Sequence, residues 1–221
     1  MHKKINLNIQ QRKFLKDEGD QMFKRNEHIN DSIDFDKEKL TETILNIYKN
    51  KKIKKNTNSI LEIGCGNGAR LEFLSKKLKK KFFYGIDPSA LAIKKAKSKK
   101  IKAKIGTADF LPYSSNKFEM LIFGFCLYLV DDNDLFKVIC EADRVLKKNG
   151  IIIIYDFDSD KPRYKSYKHC KNLKSRHMSY KNFFITHPLY KLISEKKFIY
   201  EEKKPIQIKD TFLNISCILK N

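Results

Sequence analysis

A short apolar run breaks into a glycine-rich turn in the segment Ile60-Leu61-Glu62-Ile63-Gly64-Cys65-Gly66-Asn67-Gly68-Ala69-Arg70. It predicts a buried strand that ends in a tight turn and opens a helix. Leu71, Leu74 and Leu78 then recur at helical spacing, while Lys76, Lys77, Lys79 and Lys80 take the wet face. Glycine at alternate turn positions lets the backbone run close to a ligand where a side chain would collide. The start of the helix adds unpaired N–H groups and the positive end of its dipole. The spacing E-x-G-x-G-x-G is not the G-x-G-x-x-G dinucleotide fingerprint, and no Gly-Lys-Ser/Thr phosphate loop accompanies it.

Phe82-Phe83-Tyr84-Gly85-Ile86 predicts a second strand ending at Asp87, with Pro88 next and Ser89 suited to cap the following helix. An acid at that tip, roughly twenty residues past the turn, is placed to accept both hydroxyls of a ribose. Its plainer role would be to cap a turn at the surface. A third strand, Ala103-Lys104-Ile105-Gly106, runs into Thr107-Ala108-Asp109-Phe110-Leu111-Pro112-Tyr113. A fourth spans Phe118 to Gly124, and Leu146-Lys147-Lys148-Asn149-Gly150 closes a helix before a fifth at Ile151 to Ile154.

These motifs, in this order between residues 60 and 156, resemble the class I S-adenosylmethionine-dependent methyltransferases. The sequence departs from the family at Glu119, where an aspartate is usual. The resemblance implies an α/β fold: a Rossmann-like seven-stranded sheet, mostly parallel with an antiparallel final strand and helices on both faces. It implies S-adenosyl-L-methionine as cofactor and S-adenosyl-L-homocysteine as product. Carried over residue by residue, the cofactor site comprises Glu62, Gly64, Cys65, Gly66 and Gly68 of the turn, Asp87 and Pro88 after the second strand, and Gly124 after the fourth. Asp109 would hold the adenine amino group beside Phe110, with Ala108 contributing its backbone. A dehydrogenase lacks support, because no hydride-transfer constellation accompanies the turn.

Gly19-Asp20-Gln21-Met22-Phe23-Lys24-Arg25-Asn26 is similar to a segment of bacterial methyltransferases of the sugar and surface-polysaccharide type. There it covers the cofactor, with the aromatic near the methionine arm and the arginine on its carboxylate. A guanidinium suits a carboxylate because a bidentate pair fixes position as well as charge. The alternative is an ordinary amphipathic helix with Phe23 in the core and Arg25 in water. The expected organisation is one structural domain: residues 1–58 a helical lid, 59–221 the cofactor-binding core, and 156–187 a substrate-side loop.

Methyl transfer is an in-line displacement at an activated sulfonium, so the protein positions the acceptor and, for a hydroxyl, removes its proton. The segment from Tyr155 to His187 offers His169 and His177 as candidate bases, and Asp156 as a residue lining the pocket. No Asn/Asp-Pro-Pro-Tyr/Phe motif for a planar nitrogen is present, and no Pro-Cys nucleophile. The expected acceptor is a small molecule or glycan precursor methylated at oxygen. An RNA acceptor is the runner-up, and a non-catalytic scaffold the non-enzyme reading.

The formal charge of +21 would attract nucleic acid. Lysine supplies nearly all of it, spread over most helix faces among many asparagines and isoleucines, as an AT-rich coding sequence would impose. Composition drift is the favoured explanation. No apolar run is long enough to cross a bilayer, and no signal peptide opens the chain. The five cysteines have neither paired nor metal-ligand spacing, so a cytoplasmic protein with reduced thiols and no metal is expected.

Arg12 to Asn30 reads as helical with a bend at Gly19, and Asp36 to Tyr48 as an amphipathic helix. A mobile link is expected at Lys49 to Asn58. A further helix capped by Asp131 or Asp132 should turn Leu135, Ile139, Ala142 and Leu146 inward and end at Gly150. Leu189 to Glu195 reads as a short helix, followed by strands at Lys197 to Glu202 and Phe212 to Leu219.

Overall fold

The computed structural model describes residues 8–50, 58–79, 82–199 and 212–221. Three N-terminal helices, α1 (Ile9–Lys13), α2 (Gly19–Asp31) and α3 (Lys39–Tyr48), precede five parallel strands. These are β1 (Ser59–Ile63), β2 (Phe82–Asp87), β3 (Lys102–Ile105), β4 (Phe118–Gly124) and β5 (Leu146–Asp158). Helices α4 (Ala69–Leu78), α5 (Ala90–Ser98) and α6 (Asp132–Val145) alternate with them. A ribbon of β6 (Arg163–Ser166) and β7 (Lys174–His177) and the one-turn helix α7 (Asn182–Ile185) follow. The chain closes with β8 (Tyr190–Ile199) and β9 (Phe212–Lys220).

The seven-stranded order is β3-β2-β1-β4-β5-β9-β8. β9 pairs antiparallel with both β5 and β8, so it alone among these seven runs against the rest. Helices α3, α4 and α5 cover one face, setting Leu40, Ile44, Leu71, Leu74 and Ile93 on Ile60, Ile122 and Ile153. Helix α6 covers the other, with Leu135, Val138, Ala142 and Val145 on Leu61, Phe123 and Ile152. Strands between two helical layers must be apolar on both faces, and all five residues of β1 are buried. Glu62 breaks that pattern, which marks it for chemistry. From β1 the chain steps outward to β2 and β3, then crosses back to β4 on the other side. That reversal opens a crevice above the carboxyl ends of β1 and β4.

Several local expectations give way to tertiary structure. The first helix is interrupted by a π turn at Phe14–Glu18 and does not bend at Gly19, whose φ of −57° is helical. A Cβ on Gly19 would sit 3.1 Å from the Ser89 amide nitrogen, so the glycine lets α2 lie against the turn after β2. Helix α3 starts at Lys39, where the Glu38 side chain caps it through the Thr41 amide. Helix α6 stops at Val145 because Leu146 already pairs with Phe118, and Gly150 therefore ends no helix.

The helix expected at Leu189 to Glu195 is instead the start of β8, paired with β9. A bulge between Leu192 and Ser194 breaks the alternation by which a strand is recognised. The 156–187 stretch holds a paired ribbon rather than an open loop. Residues 51–57 of the expected link and 200–202 of the expected strand lie outside the described residues.

Candidate active site

The glycine turn folds as it does because its glycines take positive φ, and at Gly64 a side chain would also collide. Gly64 has a φ of +74°, and a Cβ there would lie 2.7 Å from the Cys126 Cβ. Gly66, at φ +51°, faces open space, and its amide donates to Asp87 Oδ2 at 2.9 Å. The Ser89 amide donates to Asp87 Oδ1, also at 2.9 Å, so the carboxylate is aimed from both sides while lone pairs remain for a ligand. Burial pushes Asp87 up to about 6.

Glu62 and Glu38 share Arg70. Its guanidinium pairs with Glu62 and, at 3.4 Å, with Glu38. Burial alone would lower the Arg70 pKa, but the two carboxylates hold it above its usual value. Burial lifts Glu62 to about 7 against the pull of Arg70. Its Oε2 is buried with no hydrogen-bond partner among the described residues. A buried carboxylate oxygen beside a cavity calls for a donor, and the ammonium of a methionine arm would supply one.

These groups line one cavity of about 1230 Å³. That exceeds the roughly 300–1,000 Å³ of a typical small-molecule pocket, so two substrates fit together. Glu62, Gly64, Cys65, Gly66, Asp87, Pro88, Ala108, Asp109 and Gly124 all border it, as do His169 and His177. The residues present therefore fit an adenosine with a charged amino-acid arm.

Four expected residues do not border it. Gly68 caps the start of α4 instead. Phe110 turns outward and is 54% exposed. Arg25 pairs with Glu18 and reaches the Tyr167 hydroxyl at 3.3 Å, so it does not meet the cavity. Asp156 lies on the opposite side of β5 from Tyr155 and Phe157, because successive strand residues alternate. It is buried under the loop after β4, where Oδ2 accepts the amides of Cys126, Leu127 and Tyr128, and Oδ1 that of Phe157. Burial lifts it to about 7. Its work is architectural.

Tyr155 and Phe157 instead wall the cavity together with Phe125 and Tyr128, in edge-to-face contacts of 5.0 to 5.9 Å. His177 stacks flat on Phe157 with ring centroids 4.1 Å apart, and its Nδ1 has no hydrogen-bond partner among the described residues. Burial, reinforced by Lys165 and Arg163, lowers His177 to about 4 and keeps it neutral. His169 is exposed and meets Tyr167 edge-on.

Residues 60–150 match the family model described as a methyltransferase domain. An uncharacterized methyltransferase of Anoxybacillus flavithermus is 33% identical over 119 residues, 52% of this chain and 52% of its own. The crystal structure of a S-adenosylmethionine-dependent methyltransferase from Methanosarcina mazei shares the fold, with a TM-score of 0.59 at 18% identity, over 74% of this chain and 92% of that one. Residues 60–150 are a methyltransferase domain. The human protein named arginine-hydroxylase NDUFAF5, mitochondrial, is also similar, 31% identical over 110 residues that cover 49% of this chain and 31% of its own. The chain spans about half the length of curated relatives it matches.

The methyltransferase domain supplies only part of the cavity wall. Gln10, Phe14 and Phe23 come from the N-terminal helices, and Lys165, Tyr167 and His177 from the ribbon. Sequence reading missed Arg70, although it stands within the glycine turn, because its partner Glu38 is distant in the chain. The aromatic wall was also missed, though the alternation Tyr155-Asp156-Phe157 at a strand end could have shown it.

Proposed function

We propose that the chain transfers the methyl group of S-adenosylmethionine to a hydroxyl oxygen of a small molecule or glycan precursor. The observation that carries this reading is one cavity bordered by Glu62, Asp87 and Asp109 and also by His177. Asp87 would accept the ribose hydroxyls, Asp109 the adenine amino group, and Glu62 Oε2 the ammonium. When bound, the cofactor supplies an electrophilic methyl group on a sulfonium that leaves as a neutral thioether. The protein's part is to align the acceptor oxygen with that methyl, exclude water with the N-terminal helices and ribbon, and take the hydroxyl proton. His177 is the better-placed base of the two histidines, since it is neutral and walled into the cavity, while His169 stands at the exposed rim.

Calorimetry with S-adenosylhomocysteine tests the cofactor half: binding with a matching thermal stabilisation is expected, and NAD should give neither. Tight NAD binding without S-adenosylhomocysteine binding would overturn the assignment. Screening acceptor pools with cofactor labelled at the methyl tests the other half.

The likeness to the human arginine hydroxylase favours hydroxylation as a second reading. Product mass separates the two, since hydroxylation adds oxygen where transfer adds a methyl group. The +21 charge is the argument for the runner-up, an RNA acceptor, although composition drift explains it better. The ribbon segment carries tyrosines but few arginines, so no RNA should stay selectively bound at ~0.15 M salt.

A further inference from the structure

We propose that the acceptor carries an anionic group, a carboxylate or phosphate, held by Lys165 and Lys168 of the ribbon while the acceptor's body lies on the aromatic wall. The proposal rests on the methyltransferase reading for the cofactor end of the cavity and narrows the acceptor end.

Two independent features point this way. The first is the distribution of charge around the cavity. Arg70 is shared by Glu38 and Glu62, Arg176 pairs with Asp131, and Lys137 with Asp134. The carboxylates left without a cationic partner are Asp87 and Asp109, at the β2 and β3 side of the crevice. The cations left are Lys165, on β6, and Lys168, just beyond it, and neither makes an ion pair or hydrogen bond among the described residues. A lysine is costly to desolvate beneath a closing ligand unless that ligand brings the counter-charge.

The second feature is His177. The residue borders the cavity and is 4% exposed, and its Nδ1 is buried without a partner among the described residues. In the ribbon register Arg163 stands opposite His177 and Lys165 opposite Ser175, which places these side chains on one face. An orphaned ring nitrogen on a cationic face is completed by a hydroxyl whose parent molecule is anionic. The hydroxyl meets the imidazole and the acidic group meets the lysines.

The test uses the full chain saturated with S-adenosylhomocysteine. Calorimetry compares para-hydroxybenzoate with its methyl ester, and phenyl phosphate with phenol, while NMR follows the His177 ring, assigned through His177→Gln. At least one anion should bind saturably, about tenfold or more tightly than its neutral counterpart, and shift the His177 resonance. Which anion does so tells a carboxylate from a phosphate acceptor. The double variant Lys165→Met, Lys168→Met should lose the preference and keep its affinity for S-adenosylhomocysteine. Neutral probes binding as tightly as the anions, no saturable anion binding, or a preference that survives the double variant would each overturn the proposal. Failure to bind S-adenosylhomocysteine would instead overturn the methyltransferase reading, which the anion comparison repeated without it does not touch.

Discussion

The Tyr167 hydroxyl donates to the Glu18 carboxylate at 2.9 Å, tying the ribbon to the N-terminal helices beside the cavity. Arg25 joins the same carboxylate. A second tie lies close by: Arg176 donates to Asp132 at 2.9 Å and to Asp131 at 3.2 Å, and reaches Gln10 at 3.3 Å. Segments more than a hundred residues apart in the chain thus meet over the ligand space.

Removing only the Tyr167 hydroxyl tests that tie. Tyr167→Phe should cost about 1.5–3 kcal/mol of stability, the net worth of one hydrogen bond to a charged group. It should also speed S-adenosylhomocysteine release several-fold in stopped-flow measurements. A loss of stability with unchanged release would show that the tie braces the fold without gating the cavity.

Asp87→Ala should weaken S-adenosylhomocysteine binding by a few kcal/mol, since each hydrogen bond to a charged group contributes about 1.5–3 kcal/mol. Folding should change little, because the carboxylate sits at a strand tip. If the variant binds as tightly as the parent, Asp87 only caps the turn.

The same residue sets a pH dependence. Burial lifts Asp87 to about 6, and only its ionised form offers every oxygen lone pair to the ribose hydroxyls. Affinity should therefore fall as pH drops through 6, and binding near that pH should release protons. Titration calorimetry in buffers of different ionisation enthalpy reads this directly, and Asp87→Asn should flatten the profile.

Asp156→Ala strips the acceptor from four backbone amides beneath the loop after β4. We expect a loss on the order of 3 kcal/mol in denaturant unfolding, with Asp156→Asn milder because it keeps one oxygen. An unaltered unfolding midpoint would contradict the architectural role.

His177→Gln should lower methyl transfer to a labelled acceptor by about 10²–10⁴-fold, the usual contribution of a general base. Affinity for S-adenosylhomocysteine should stay intact. An unchanged rate at neutral pH would leave the proton to water or to the acceptor itself.

The centre of the fold is legible in the sequence because its signals are local. Glycines at the end of β1, an acid at the tip of β2 and unbroken apolar strands each declare themselves within a few residues. β8 is hidden by its bulge, and its strand state comes from pairing with β9. Arg25 is misread because its carboxylate lies on its own helix at Glu18, with a tyrosine from a distant ribbon completing the site. Asp156 is misread because an acid at a strand tip resembles a pocket residue by its chemistry, whereas the pleat of β5 decides which side chains face inward.

The cavity has a floor and a roof of different origin. Its floor, from Glu62 to Gly124, lies inside the matched residues 60–150, whereas Gln10, Phe14, Lys165, Tyr167 and His177 in its roof lie outside them. Relatives that share only the matched region share the proposed nucleoside seat and, of the acceptor side, only Phe125 and Tyr128 of the aromatic wall. Acceptor choice should therefore be exchangeable as a cassette: grafting a foreign ribbon together with its matching N-terminal helices would retarget the enzyme and leave the floor untouched. Grafting the ribbon alone would sever both ties.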